Sequence, residues 1–95
     1  MISFQIEAES GREEAILGEM VSCFSNYPSV KALCNTFVVQ VAGYGKYEGI
    51  QRRLLETART FEEKVYFLMS PLMPALLYHG RLSKDVAEQV NQLAG

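Results

Sequence analysis

VKALCNTFVVQVA, residues 30–42, decides the architecture. Its β-branched and apolar residues suit a pleated strand, and Cys34-Asn35-Thr36 in the middle offers a kink or turn. Read as two short strands, the segment splits a β-α-β unit and leads to a two-layer sandwich. If residues 29–35 are loop, a three-stranded parallel α/β layer follows instead. The second strand, Phe37 to Val41, belongs to either reading.

On the N-terminal side, Ile2, Phe4 and Ile6 alternate with Ser3, Gln5 and Glu7, the period of a strand with one buried face. Ser10 with Glu13 three residues later forms a capping-box pattern. Leu17, Met20, Val21, Phe24 and Tyr27 then recur at three- and four-residue spacing. The spacing predicts a helix over about 11–26, ended by Asn26 and Pro28.

On the C-terminal side, Tyr47, Ile50, Leu54, Ala58 and Phe61 line one side of a helix over about 46–60, weakened near its start by Gly49. Residues 64–70, KVYFLMS, are apolar on both faces, the pattern of an interior strand covered on both sides. Pro71 and Pro74 forbid a regular interior strand beyond it, so Ala75 to Tyr78 reads as a short edge strand or extended arm. Ser83 then caps a terminal helix whose apolar stripe is Val86, Val90 and Leu93.

The expected fold is therefore α+β: a single ferredoxin-like βαββαβ sandwich over residues 1–95, with a C-terminal extended segment and a terminal helix. Both main helices would lie on one face of the sheet. The other face would carry Val38, Tyr66, Leu68 and Tyr78, an apolar patch of the kind that marks an interface, most simply in a homodimer. The alternative is that the terminal helix folds back over that face.

Ninety-five residues fit one domain, and nine basic against eleven acidic residues leave a net charge of -2. No global positive field exists to attract nucleic acid or anionic lipid, so such binding would need a local patch. No apolar run reaches the roughly 18–20 residues a membrane span needs. Cys23 and Cys34 show no metal-ligand spacing, and the start lacks a secretory pattern. A cytoplasmic protein with reduced, mostly buried thiols is expected, with a disulfide as the alternative.

Four places invite a chemical reading. Gly43-Tyr44-Gly45-Lys46 precedes a helix, as phosphate loops do, yet Tyr47 replaces the metal-binding hydroxyl of a P-loop and Glu48 stands where a dinucleotide fingerprint needs its last glycine. No cofactor is expected, and the glycines serve a strand-to-helix turn. Lys46 at the helix start, with Arg52, Arg53 and Arg59, could contact an anion or a nucleic-acid backbone, with Tyr44 or Tyr47 to stack on bases. Lone His79 reads as a loop residue. Glu7, ending the first strand, is the weak candidate for a metal-binding catalytic carboxylate, against a plain reading as part of that strand's polar face.

The element order, Leu33-x-x-Thr36-Phe37-Val38-Val39 at the third strand, and Glu63 with the apolar residues Val65 to Leu68 at the fourth resemble a known group. It comprises the small ferredoxin-like proteins around the CRISPR-associated endoribonuclease and integration subunit, with their toxin and antitoxin relatives. That resemblance implies a homodimer joined through open sheet faces or C-terminal strands and, in some members, a metal-dependent ribonuclease with an aspartate ending the first strand. Here Glu7 takes that place and the motif's tyrosine-aspartate pair is absent. The resemblance thus points to a non-enzymatic interaction or regulatory protein of a toxin–antitoxin, mobile-element or defence system. A ribonuclease or RNA-binding protein of the same fold is the alternative.

Overall fold

The computed structural model describes residues 1–71 and 81–94. In chain order these form β1 (Ile2–Glu7), α1 (Arg12–Ser22), β2 (Ser29–Leu33), β3 (Thr36–Val39), α2 (Tyr44–Ala58), β4 (Lys64–Met69) and α3 (Lys84–Ala94). The deciding segment is two strands. β2 and β3 are joined by the turn at Cys34 and Asn35 and pair antiparallel, with a register shift between Lys31 and Leu33. A parallel layer is thereby excluded.

The four strands form one sheet in the order β2-β3-β1-β4, every neighbouring pair antiparallel. α1 carries the chain from β1 past β3 to β2, and α2 carries it from β3 past β1 to β4. Both helices pack on the face that Ile2, Phe4, Ile6 and Phe37 present. There Ile16, Met20, Cys23 and Phe24 meet Ile50 and Leu54 in one core cluster. Phe4 is its hinge point, with ring centroids 6.3 Å from Phe24 and 5.9 Å from Phe37. Each such side chain buried fully contributes about 1.5–3 kcal/mol.

Local structure departs from sequence expectation at several points. α1 ends at Ser22, four residues early, because the chain tightens into successive three-residue turns: the N–H groups of Phe24, Ser25 and Tyr27 donate to Val21, Ser22 and Phe24. The Ser10 capping box does not form. The Glu13 N–H donates instead to the Glu9 carbonyl at 2.9 Å, while Glu13 and Glu14 still place negative charge in the first turn. α2 starts two residues early, so Gly45 is helical and only Gly43, at φ 94°, uses glycine's freedom at the turn. Cys23 is buried, but Cys34 is exposed at the hairpin turn, and both thiols are free.

The largest correction concerns β4. Its doubly apolar pattern suggested an interior strand, yet among the described residues it lies at the edge of the sheet. Val65, Phe67 and Met69 pack against the core, while Tyr66 and Leu68 on the opposite face are exposed.

α3 packs against β2. Val30 and Ala32 are the half-buried residues of β2, and Val30 pairs with Val38 of β3. Val38 and Val90 are both buried yet stand outside the core cluster under α1 and α2. α3 therefore covers the β2 side of the second sheet face. The Ser83 cap is in place, its Oγ accepting from the Val86 N–H at 3.3 Å. No described helix is long and apolar enough to cross a membrane. The expected arm from Ala75 to Tyr78, with Pro74 and His79, lies outside the described residues.

Candidate functional site

The second sheet face divides in two. On the β2 and β3 side, Val30, Ala32 and Val38 are sheltered. Val38, expected to be part of an open patch, is only 9% exposed; it pairs with Val30 of β2, the strand on which the terminal helix packs. On the β1 and β4 side the register sets Ser3 opposite Leu68, Gln5 opposite Tyr66 and Glu7 opposite Lys64. Leu68 is 66% exposed and Tyr66 49%. Two large apolar side chains thus stand adjacent along β4, beside a polar row in which Ser3 Oγ and Thr36 Oγ1 share a hydrogen bond of 3.0 Å.

A groove of about 650 Å³ follows the outer edge of β4. The whole strand lines it, together with Leu55 and Ala58 from α2 and Arg59 at that helix's C-terminal cap. Leu55 is 41% exposed, and sequence reasoning passed over it. The signal was there: Leu54 and Leu55 are consecutive, so on a helix only one can enter the core, and Leu54 does. Among the described residues, three of the five exposed large hydrophobic ones, Leu55, Tyr66 and Leu68, line this one groove, so the apolar surface described is concentrated there.

The other candidates do not gather. Lys46 and Arg53 fall on one line of α2, Arg52 and Arg59 on another about 100° away. Arg53 is further engaged, donating from Nη1 to the Cys23 carbonyl at 3.0 Å beyond the end of α1. Tyr44 stacks on Tyr47 with ring centroids 5.8 Å apart, at the start of α2. Glu7 is exposed at the end of β1 with Lys64 as its cross-strand neighbour. Among the described residues no group of three or more His, Cys, Asp or Glu side chains could hold a metal ion. Tyr78, the remaining expected interface residue, is outside the described residues.

Among the described residues one ion pair reaches the groove, through Glu63. Arg12 Nε donates to Glu63 Oε2 at 2.7 Å, and the Arg12 guanidinium sits 5.5 Å from the centre of the Phe61 ring. The hydrogen bond from Arg12 holds the Glu63 carboxyl below its ordinary range and raises the guanidinium in turn. The pair ties the start of α1 to the chain entering β4.

No protein-family model matches the chain, and comparison with curated proteins and with solved structures finds no match.

Proposed function

We propose that the protein is a small interaction or regulatory module that works as a homodimer, in a ferredoxin-like fold. Support for the fold comes from the strand order, which read from the other edge is β4-β1-β3-β2, with each main helix bridging strands two apart on one face. Support for the role comes from one observation: Tyr66 and Leu68 stand exposed on the open sheet face and border, with Leu55 on the helix side, one groove at the sheet edge. Contiguous exposed apolar surface bordered by polar groups is the ordinary mark of a protein interface. The setting suggested by the sequence resemblance is a toxin–antitoxin, mobile-element or defence and counter-defence system, where the protein acts by binding and not by catalysis.

The test is size-exclusion chromatography with light scattering on the native chain and on Leu68→Asp. The native chain is expected to run as a dimer. The substitution places a charge where an apolar contact belongs and weakens association about tenfold or more. Because Leu68 is exposed, its melting temperature should stay close to that of the native monomer. A native chain that remains monomeric at high concentration overturns the reading.

A further inference from the structure

The two edges of the sheet are built differently. β2 carries Lys31 at its centre, shifts register between Lys31 and Leu33, and lies under α3. A lysine, a bulge and a covering helix are each devices that keep an edge strand from pairing with another chain. Among the described residues β4 has no register shift and no helix over its outer edge, and its one lysine, Lys64, stands at its first position rather than its centre. Its register with β1 is unbroken over all six residues, and from Val65 to Met69 it holds neither a charge nor a proline. It also has the two-sided apolar pattern of a strand with neighbours all round.

The pairing with β1 identifies which backbone groups of β4 point away from it. Met1 and Ser70 exchange hydrogen bonds of 2.8 and 3.0 Å. Bonded and non-bonded pairs alternate along an antiparallel ladder, so Leu68, Tyr66 and Lys64 direct their N–H and C=O groups toward β1. Val65, Phe67 and Met69 direct theirs outward, along the groove. The other side of β1 agrees, since the Phe4 N–H donates away from β4, to the Asn35 carbonyl at 2.9 Å. No described residue pairs with the outward groups of β4.

A second β4 fits those groups. Placed antiparallel about a two-fold axis at Phe67, it sets Val65 opposite Met69, Phe67 opposite its own copy, and Tyr66 opposite Leu68. This register uses every outward residue of both strands and puts Lys64 opposite Ser70, so no like charges meet. An axis at Tyr66 instead sets Lys64 against Leu68 and the Glu63 position against Met69. On the open face, the Phe67 register gives two aromatic–aliphatic cross-strand pairs, a favourable combination. On the helix side, Leu55 of each copy borders the groove that the other copy's strand enters. A surface complementary to itself under a two-fold axis selects a second copy of this chain as its occupant.

We propose that β4 is the interface strand of the homodimer: two copies join edge to edge, antiparallel about Phe67, into one continuous sheet. This rests on the self-association proposed above, and the test separates the two. On a Cys34→Ser background, Tyr66→Cys and Leu68→Cys chains are oxidised with oxidised glutathione, singly and mixed. Directly opposed residues lie about 4.5–5.5 Å apart, within disulfide reach, whereas the same residue across the axis is about 7–8 Å away.

The expected result is a crosslinked dimer in the mixture and none from either chain alone. Crosslinking of either chain with itself, as readily as in the mixture, overturns the Phe67 register. A dimeric mass with no crosslink in any combination overturns the strand pairing and leaves self-association standing; a monomer removes both. Amide exchange on the unmodified chain gives a second measurement, free of any effect of the cysteines on association. Exchange at Val65, Phe67 and Met69 should slow as protein concentration rises, and exchange independent of concentration overturns the proposal.

Discussion

The two halves of the second sheet face use similar chemistry and have different surroundings. Val30, Ala32 and Val38 on one half are sheltered on the side where α3 packs; Tyr66 and Leu68 on the other half face outward. Both halves alternate as strands do, and each carries apolar residues on the side away from α1 and α2. The difference teaches that an apolar strand face declares a need for cover without saying where the cover comes from. In the β2 half it comes from the same chain, and in the β4 half the proposed source is a second copy.

The sharpest way to break this comparison is to treat both halves alike. Val90 is only 1% exposed, so Val90→Asp buries an unpaired carboxylate and loses the valine's contacts. It should cost about 3 kcal/mol or more in stability. Leu68→Asp, on the open half, should leave monomer stability within about 0.5 kcal/mol. Urea denaturation followed by circular dichroism compares the two at a concentration where both are monomeric. If Val90→Asp costs no more than Leu68→Asp, α3 is not holding the β2 half together and the two halves are equivalent.

This contrast also shows how much could be read from the residues. The alternation of Ile2, Phe4 and Ile6, and the spacing of Ile50, Leu54 and Ala58, located the main sheet face and a helix on it, because burial on one side imposes a period. The Val86, Val90 and Leu93 stripe located α3 as an amphipathic helix, but not its destination, since periodicity marks a buried side and not the surface it meets. β4 misled for the same reason. A strand apolar on both faces reads as interior, whereas strand order depends on how the helical connections cross the sheet. Leu55 was hidden by its neighbour Leu54, because a helical stripe absorbs one of two consecutive leucines and leaves the other unexplained. The dispersal of Lys46, Arg52, Arg53 and Arg59 could have been seen from their spacing, while the tie from Arg53 to the Cys23 carbonyl needed the packing of α1 against α2.

A smaller change sharpens the comparison of the edges. Lys31→Val removes an exposed charge from the centre of β2 and should alter stability by no more than about 0.5 kcal/mol. Its effect belongs to assembly. With β4 proposed to pair already, loss of the lysine makes the second edge more permissive, and species larger than a dimer should appear by light scattering as concentration rises. An unchanged mass distribution would mean that the register shift and α3 guard β2 without help from Lys31.

The smallest expected effect is one of pH, and it should be confined to one half. Glu63 immediately precedes β4, and its carboxyl is held below the ordinary value chiefly by the Arg12 hydrogen bond. A carboxyl depressed in the folded state contributes stability that is complete above its unfolded pKa and disappears as pH falls through the folded one. The contribution is therefore intact near neutrality and starts to fade only as pH drops below the ordinary glutamate range of about 4.3. Both partners are solvent-accessible, so the pair adds little to global stability and acts locally, on the chain entering β4. Across an acid series, amide protection relative to the intrinsic exchange rate should fall at Lys64 and Tyr66 before it changes at Val30 and Val38, where the described residues include no ion pair. Glu63→Gln should flatten the early response. If both halves loosen at the same pH, or if Glu63→Gln leaves the β4 response unchanged, the ion pair does not set the position of this edge, and its contact with Arg12 is only a surface feature.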